Sequence, residues 1–284
     1  MKGIILAGGS GTRLHPLTSV RSKQLLPIFD KPLIYHPLTT LISLGLNDIL
    51  IISNPNQIND FKFLLGDGLK FGINLSYEIQ ERPNGIAEAL IIGESFLGND
   101  KCALILGDNI FISDKLNSSQ ITDFKSGAKI FTIAVNDPER YGVVKIIENK
   151  VMDIVEKPDE FISNSAVTGL YFYDSEVSSI CKTLSPSERN ELEITDLNKV
   201  YLKNESLEVF QLEDNDVWMD AGTFGSLLDA GNYISALQKR AGRLYGSPEL
   251  AAYNQGFLTK KHIKDLIKNS PKNSYYCLLE KIII

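Results

Sequence analysis

Short, unbroken apolar runs alternate with segments of helical spacing along the first half of the chain. Apolar runs of this kind are typical of strands covered on both faces. The pattern therefore predicts an α/β fold with a mixed, mostly parallel central sheet between helices. The predicted strands are residues 3–7, 48–53, 76–80, 102–106 and 130–135, and the predicted helices are residues 32–44, 58–65 and 85–96. Ligands of such sheets bind beyond the carboxyl ends of the strands.

Strands predominate in the middle of the chain and helices at its end. The middle strands are predicted at residues 141–147, 151–156, 167–173 and 207–212, with a helix at residues 194–202. Beyond Thr223 the chain is mostly helical, and Thr223, Ser247 and Thr259 are predicted N-caps. We expect one α/β domain at residues 1–225, in which the strands of residues 137–220 complete a pocket wall, and a helical extension at residues 226–284.

The composition is that of an ordinary globular protein. The 284 residues include 29 Lys and Arg against 35 Asp and Glu, a net charge of −6. This balance leaves no broad basic face, so nucleic acid is not an expected partner. The apolar run at residues 4–7 is too short for a signal peptide, and no run approaches the roughly 20 residues of a membrane span. We therefore expect a soluble, cytoplasmic protein without a membrane partner.

Cysteine and histidine are scarce. The cysteines lie far apart and form no CxxC pair, which predicts reduced, buried thiols rather than disulfides or a thiolate zinc site. They are Cys102, Cys181 and Cys277. The three histidines, His15, His36 and His262, are too few for a histidine-rich metal site.

A glycine-rich turn follows the first predicted strand. Residues 8–13 read Gly-Gly-Ser-Gly-Thr-Arg, and glycines let a backbone approach a phosphate closely. The turn is not a dinucleotide fingerprint, since Leu14 stands where a third glycine belongs, and no Gly-Lys-Ser/Thr follows to make a Walker loop. Arg13 adds a bidentate fork and Lys23 a point charge. Two cations beside a glycine loop, on an acidic protein, favour phosphate binding over a solvated surface.

Two segments resemble the signature of the sugar nucleotidylyltransferase family: LAGGSGTRL at residues 6–14 and SKQLLP at residues 22–27. Further segments are similar to its glucose-1-phosphate thymidylyltransferase branch, and the resemblance extends from residue 2 to about residue 258. These segments are DKPLIY (30–35), GDG (66–68), GDN (107–109), DPERYGVV (137–144), EKP (156–158), VTGLYFY (167–173), ELEITD (191–196) and WMDAGT (218–223).

The resemblance implies a Rossmann-like, three-layer nucleotidyltransferase fold of the glycosyltransferase-A type. It also implies an Mg²⁺-dependent enzyme that joins dTTP to α-D-glucose 1-phosphate and releases pyrophosphate. In this reaction the sugar phosphate attacks the α-phosphorus in line, which requires positioning and charge neutralisation more than a covalent nucleophile. The residues agree, since the chain has no Gly-x-Ser-x-Gly elbow.

The resemblance assigns roles to individual residues. Asp108 and Asp220 match the family's magnesium-binding acids, although each alone could equally cap a helix. Arg13 and Lys23 would stabilise charge on the transferred and leaving phosphates, and Lys157 would hold the sugar phosphate. The nucleotide-binding candidates are Leu6, Gly8, Gly9, Ser10, Gly11, Thr12, Gln80 and Gly85. The sugar-phosphate candidates are Tyr141, Gly142, Glu156, Lys157, Val167, Tyr171 and Arg189, and Trp218 lies either beside them or in the core.

The base is expected to be read by Gln80 and Gly85, since one Gln amide can both donate to and accept from the imide edge of thymine or uracil. This chain has Asn-Gly-Ile-Ala-Glu at residues 84–88, where the family more often has Asp-Gly-Leu-Ala-Gln. It also has Glu81 and Arg82 where the family has small residues. Discrimination by one methyl group is worth only about 1–3 kcal/mol, so acceptance of UTP stays open.

The resemblance further implies a homotetramer, with the C-terminal helices near subunit contacts and near a second, inhibitory nucleotide-sugar site. Feedback by a late dTDP-sugar such as dTDP-rhamnose is a hypothesis, because Asn254 stands where family members usually have Arg. A UTP-dependent sugar-1-phosphate uridylyltransferase and a non-catalytic nucleotide-sugar sensor are the alternatives. The sensor predicts loss of a catalytic residue, yet Arg13, Lys23, Asp108 and Asp220 are all present. The missing third glycine disfavours an NAD-binding oxidoreductase.

Overall fold

The computed structural model describes residues 1–9, 11–148 and 150–283. Its strands alternate with helices through the first half of the chain, as the apolar pattern predicts. The strands are β1 (Lys2–Leu6), β2 (Pro27–Ile28), β3 (Lys31–Pro32), β4 (Asp48–Ser53), β5 (Asn74–Ile79), β6 (Cys102–Leu106), β7 (Asn109–Ile112), β8 (Ala128–Ala134), β9 (Gly142–Ile147), β10 (Lys150–Glu156), β11 (Ser165–Tyr173), β12 (Leu207–Gln211) and β13 (Val217–Asp220).

Nine of these strands form one sheet in the order β10–β9–β11–β6–β1–β4–β5, and β8 and β12 extend it from β11. The block β6–β1–β4–β5 is parallel, whereas β11 runs antiparallel to β6, β8 and β9. Because β12 is parallel to β8 and β10 is antiparallel to β9, β10 and β11 oppose the direction of the other strands. The expected mixed, mostly parallel sheet is thus confirmed. The pairs β2–β3 and β7–β13 form two small ladders outside it.

Neighbouring residues of the parallel strands pack against opposite helical layers. Ile5 and Ile51 belong to one buried cluster, whereas Ile4 and Leu50 belong to another. All four side chains have no solvent exposure. Both faces of the sheet are therefore covered, which explains why these strands have no polar alternation.

The helices are α1 (Tyr35–Ser43), α2 (Ile58–Leu65), α3 (Glu88–Ile92), α4 (Glu94–Leu97), α5 (Ser118–Asp123), α6 (Val177–Cys181), α7 (Ile194–Lys203), α8 (Phe224–Ala241), α9 (Pro248–Asn254), α10 (Lys260–Lys268) and α11 (Ser274–Ile283). The predicted caps Thr223, Ser247 and Thr259 are confirmed, since each side chain accepts a hydrogen bond from its own first turn. The predicted division between residues 225 and 226 falls at the start of α8 and stays a prediction. Across the described ranges, no helix has the length and apolar character that a bilayer crossing requires.

Two predicted helices differ from those observed. The helix expected from residue 32 begins at Tyr35, because Lys31–Pro32 instead pairs with Pro27–Ile28 in the β2–β3 ladder. The helix expected at residues 85–96 is divided into α3 and α4 at Gly93, where a Cβ would lie 2.7 Å from Ile4 Cδ1. In both places, tertiary contacts override the local helical pattern.

The prediction that all three thiols are buried is wrong for one of them. Cys102 and Cys181 are buried, but Cys277 lies exposed on α11. Burial raises the pKa of the Cys181 thiol to about 12, so this sulfur stays protonated and unreactive. Cys277 lies off the buried stripe of α11, which consists of Tyr275, Leu279 and Ile283 at a spacing of four residues.

A buried carboxyl, Glu249 on α9, contacts α11. The hydroxyl of Ser247 donates to Glu249 Oε2 at 3.1 Å, and the hydroxyl of Tyr275 on α11 hydrogen-bonds the same oxygen. Burial raises the pKa of Glu249, and the hydrogen bond from Tyr275 opposes that rise only in part. The packing of α11 therefore depends on a carboxyl group whose charged form is disfavoured.

Glu249→Gln is expected to reduce the pH dependence of stability. Because its raised pKa makes the folded chain hold the proton more tightly than the unfolded chain, wild-type stability falls as pH rises above the unfolded value of about 4.3. Glutamine cannot ionise, so the variant gains stability relative to wild type as pH rises from about 4 to about 7. Urea unfolding across this range measures the difference, with the exposed Glu280→Gln as the matched control. A difference that stays constant with pH would contradict the prediction.

Candidate active site

One cavity of about 490 Å³ opens where β6 ends and brings together most of the predicted catalytic and sugar-phosphate residues but, within the described ranges, none of the predicted nucleotide-binding residues. Its walls come from β6, β7, β9, β10, β11, β13 and the start of α7. The predicted residues that line it are Arg13, Asp108, Tyr141, Gly142, Glu156, Lys157, Val167, Tyr171 and Asp220. A wider groove of about 990 Å³ between α7, β10 and β12 carries none of the predicted site residues.

The two candidate metal-binding acids meet at this cavity because of the β7–β13 ladder. Asp108 follows β6 directly, and the ladder places Asp220 opposite Asn109. The backbone N–H of Ala221 donates to the carbonyl oxygen of Asp108 at 3.1 Å, which extends the ladder by one position. Backbone hydrogen bonds therefore bring together two carboxylates that are 112 residues apart in sequence (220 − 108).

Lys23 and Asn109 hold the Asp108 carboxylate from two sides. Lys23 Nζ hydrogen-bonds Oδ2, and Asn109 Nδ2 donates to Oδ1 at 2.9 Å. Burial alone would raise the pKa of Asp108, but the Lys23 ammonium and the Asn109 amide together hold this pKa below its usual value. Asp108 is therefore a carboxylate at neutral pH. Lys23 itself is not among the cavity-lining residues and reaches the site through this ion pair.

Asp220 has the opposite electrostatic environment. Burial raises the pKa of Asp220, the positive charge of Arg140 opposes that rise, and the negative charge of Asp108 adds to it. Arg140 Nη2 lies 3.3 Å from Asp220 Oδ2, and the Tyr141 hydroxyl donates to Oδ1 at 3.1 Å. The charge of Asp108 thus contributes to the raised pKa of Asp220. Arg140 was quoted in a motif but given no role by sequence reasoning.

Asn109 connects three parts of the site through one side chain. Its Oδ1 accepts from the Gly169 backbone N–H at 3.0 Å and from Trp218 Nε1–H at 2.6 Å, while its Nδ2 holds Asp108. A Cβ at Gly169 would lie 2.5 Å from Asn109 Oδ1, so this contact requires glycine. The Trp218 ring packs edge-on against Tyr141, with ring centroids 4.9 Å apart. Trp218 therefore lies beside the sugar candidates.

The sugar-side candidates surround a hydrogen-bonded glutamate. The Thr195 hydroxyl donates to Glu156 Oε2 at 2.7 Å, and Lys157 Nζ lies 3.9 Å from Glu156 Oε1. Lys157 adopts a φ of 43°, and its N–H donates to the Tyr141 carbonyl at 2.9 Å. Burial, and then the Glu156 charge, raise the pKa of the Tyr171 phenol, which stays neutral. Thr195, which sequence reasoning gave no role, orients Glu156 from the first turn of α7.

Gly142 allows this close packing, and Val167 contributes an apolar wall. A Cβ at Gly142 would lie 3.3 Å from Glu156 Oε2 and 3.4 Å from Thr195 Oγ1. Arg189, by contrast, is not among the lining residues. Its Nη2 hydrogen-bonds Glu193 Oε1 at 2.9 Å and lies 4.0 Å from Glu156 Oε1. Its predicted phosphate role stays a prediction.

The glycine turn leads from β1 to the cavity. Leu6 ends β1, Gly8 and Gly9 follow, and a short 3₁₀ helix over Thr12–Leu14 carries Arg13 into the cavity wall. Gly11 has a φ of 63°, and its carbonyl accepts from the Thr18 hydroxyl at 2.8 Å. Ser10, a predicted nucleotide contact, lies outside the described residues. Glycine at 11 is required because a side chain there would be strained and would contact Thr18.

The predicted base-reading residues lie together at the end of β5. Gln80 is buried, and its Nε2 donates to the Gly85 carbonyl at 3.2 Å. Gly85 has a φ of 107°, and a Cβ there would lie 2.3 Å from the carbonyl oxygen of Leu192. Gly8 approaches the same amide, since a Cβ there would lie 2.7 Å from Gln80 Oε1. The amide of Gln80 thus contacts the glycine turn.

The donor set fits a hard cation that keeps open positions for substrate. Mg²⁺ takes one or two carboxylates together with substrate phosphates and water, and Asp108 and Asp220 supply two carboxylates on one cavity. Within residues 1–9, 11–148 and 150–283, no group of three or more His, Cys, Asp or Glu side chains is placed to hold a metal. A closed, all-protein metal cage is therefore absent from the described chain.

Comparisons with known proteins agree with this arrangement. The family model described as nucleotidyl transferase matches residues 2–236. Proteins named glucose-1-phosphate thymidylyltransferase are 47% identical over 279 residues in Xanthomonas campestris, covering 96% of this chain and 94% of that one, and 45% identical over 288 residues in Mycobacterium tuberculosis, covering 99% and 100%.

Solved structures share the fold. A crystal structure from Bacillus anthracis that contains sucrose superposes with a TM-score of 0.77 at 46% identity, covering 82% of this chain and 94% of that one. A UDP-glucose pyrophosphorylase complexed with UDP-glucose gives a TM-score of 0.72 at 26% identity, covering 84% and 99%. With a family model over most of its length and relatives this similar, the chain belongs to the nucleotidyl transferase family, among the glucose-1-phosphate thymidylyltransferases.

Proposed function

We propose that this protein transfers a thymidylyl group from dTTP to α-D-glucose 1-phosphate and so forms dTDP-glucose and pyrophosphate. One observation carries the proposal: the same cavity is lined by the carboxylates of Asp108 and Asp220, by the guanidinium of Arg13, and by the Glu156–Lys157 ion pair. A reaction between two phosphorylated substrates needs cations and metal-binding acids within one enclosure.

The reaction is a direct transfer between the two substrates and needs no nucleophile from the protein. An oxygen of the sugar phosphate forms a bond to the α-phosphorus of dTTP, while the bond from that phosphorus to the bridging oxygen of the β-phosphate breaks. The pyrophosphate leaves with the electron pair of that bond. Both phosphates are ionised at neutral pH, so no general base has to remove a proton.

The protein residues position the two substrates and balance their charge. Arg13 offers its planar fork to the phosphates of dTTP, and Lys157 offers its ammonium to the phosphate of the sugar. Lys23 keeps Asp108 ionised through their ion pair, which is the form that can bind a metal. Asp108 and Asp220 would hold Mg²⁺, which supplies positive charge to the transferred phosphate when bound.

Glu156 would select the sugar by accepting hydrogen bonds from its hydroxyl groups. Its Oε2 is already held by Thr195, so Oε1 is the oxygen oriented for a ligand, with Lys157 beside it. Gly142, Val167, Tyr171 and Tyr141 would form the walls of the sugar pocket. This polar pair beside the uncharged residues Gly142, Val167 and Tyr171 matches a substrate with a phosphate at one end and hydroxyls at the other.

The proposal extends to properties that follow from the family rather than from the cavity. The family resemblance implies a cytoplasmic homotetramer that supplies a dTDP-rhamnose pathway, with feedback by a late dTDP-sugar. Adding dTDP-rhamnose to the assay tests the feedback. An unchanged rate would exclude it.

The direct test measures pyrophosphate release with glucose 1-phosphate and each of dTTP, UTP, CTP, ATP and GTP. We expect release that depends on Mg²⁺ and is highest with dTTP. A strong preference for UTP would replace this proposal with a uridylyltransferase. Absence of release with every nucleotide would leave the nucleotide-sugar sensor as the function.

A further inference from the structure

We propose that Glu88 fixes the orientation of the Gln80 side-chain amide and so selects nucleotides whose base carries an N–H at the edge that Gln80 reads. Glu88 opens α3 and lies eight residues beyond Gln80 (88 − 80). It is a positioning residue, because its carboxylate contacts Gln80 and not the base. This inference rests on the proposed function, in which Gln80 reads the base.

The orientation of the amide follows from its partners. Gln80 Nε2 lies 2.7 Å from Glu88 Oε2 and 3.2 Å from the carbonyl oxygen of Gly85. A carboxylate and a carbonyl can only accept hydrogen bonds, so the NH₂ group of Gln80 must face both of them. The carbonyl Oε1 of Gln80 therefore points the other way.

The carboxylate of Glu88 is itself held in place. Its second oxygen, Oε1, accepts from Asn84 Nδ2 at 2.8 Å, and Glu88 is half-buried at the first turn of α3. Both carboxylate oxygens of Glu88 are thus occupied by amide donors, and Oε2 accepts from Gln80 at a fixed position, which disfavours the flipped amide.

The other side of the amide, the acceptor Oε1, faces the glycine turn. Gln80 is 4% exposed, and a Cβ added to Gly8 would lie 2.7 Å from its Oε1. Among the residues that the structure describes, none donates a hydrogen bond to this oxygen. An acceptor held in one orientation without such a donor is available to a donor on the ligand.

Base chemistry then determines which nucleotide fits. Thymine and uracil present N3–H at their imide edge, and this N–H can donate to Gln80 Oε1. Cytosine presents an unprotonated N3, so the same pose would oppose two acceptors and leave both without a partner. A freely rotating amide would instead flip and donate to cytosine N3. The lock by Glu88 therefore disfavours cytidine nucleotides.

Glu88→Gln tests whether Glu88 fixes the orientation of the Gln80 amide, with almost no change of side-chain volume. Glutamine offers both a donor and an acceptor, so Gln80 is no longer confined to one orientation. We expect the ratio of kcat/KM for dTTP to that for CTP to fall about tenfold, the effect of one hydrogen bond. The KM for dTTP should rise while kcat is retained, because base reading contributes to binding and not to the reacting atoms. Dissociation constants of the two nucleotides provide the same ratio without turnover.

Glu94→Gln is the matched control. It makes the same chemical change on the neighbouring α4, where the carboxylate pairs with Lys182 at 2.6 Å, and it should leave the ratio unchanged. If wild type turns over dTTP but Glu88→Gln keeps the wild-type ratio, or loses activity equally with both nucleotides, this inference is overturned alone. If wild type releases no pyrophosphate from dTTP and glucose 1-phosphate, the proposed function itself fails.

Discussion

Asp108→Asn is expected to lower the turnover of dTTP and glucose 1-phosphate about 100- to 1000-fold, the loss seen when one preorganised electrostatic group is removed from an active site. Asparagine keeps the shape of the side chain but loses the charge that faces Asp220 and pairs with Lys23. A neutral amide is a poor ligand for a hard cation, so the Mg²⁺ concentration needed for half-maximal rate should also rise.

The variant should remain folded, with a lower Tm. Lys23 is 11% exposed and would lose its carboxylate partner, which costs stability. Circular dichroism and thermal unfolding check the fold, and steady-state pyrophosphate release checks the activity. Asp229→Asn, the same change at an exposed position of α8, should behave as wild type. An Asp108→Asn protein with near-normal turnover would contradict the metal assignment.

Arg13→Ala is expected to reduce kcat about 100-fold or more, because it removes the planar cation that would stabilise charge on the phosphates during transfer. Arg13 lies on the 3₁₀ helix after the glycine turn, and its guanidinium flanks Gly222 together with the Asp220 carboxylate. Arg13→Lys should recover only part of the rate, since a lysine supplies charge but no bidentate geometry.

Arg21→Ala provides the control for that prediction. Arg21 is exposed in the same loop region and does not line the cavity, so its removal should leave kcat near the wild-type value. Rates are compared at saturating dTTP and glucose 1-phosphate, so that weaker binding does not imitate a slower reaction. Equal turnover of Arg13→Ala and Arg21→Ala would contradict the proposed role of Arg13.

The strands of the parallel block could be predicted from sequence almost to the residue. Asp48–Ser53 and Cys102–Leu106 are observed with the predicted bounds, because burial on both faces leaves an unbroken apolar run. The ladders β2–β3 and β7–β13 were not predicted as sheets. They consist of two or four residues per strand, and their pairing depends on distant segments that no local pattern reveals.

The site could be predicted only as far as family motifs assign single residues. The motifs bring Arg13, Asp108 and Asp220 to one cavity, as expected from strand ends that meet at one edge. Contacts between individual side chains could not be predicted from the sequence. Neither the Arg140 contact with Asp220 nor the connecting role of Asn109 has a sequence signature, because each depends on a partner tens of residues away.

The predicted phosphate role of Arg189 stays a prediction that rests on the family resemblance. In the structure, three acidic residues lie within 4.0 Å of its guanidinium. The local sequence Glu-Arg-Asn-Glu-Leu-Glu already contains two of those partners, Glu191 and Glu193. Local charge pairing was thus the signal available in the sequence.

Because of the β7–β13 ladder, the spacing of Asp108 and Asp220 and the choice of sugar depend on different parts of the structure. Main-chain hydrogen bonds hold Asp220 opposite Asn109, and such bonds do not depend on the identity of neighbouring side chains. The wall proposed to bind the sugar, by contrast, consists of side chains such as Glu156, Val167 and Thr195 on other strands and on α7. Substitutions in that wall can therefore broaden the range of accepted sugars while the spacing of the two acids, and with it the transfer chemistry, is preserved.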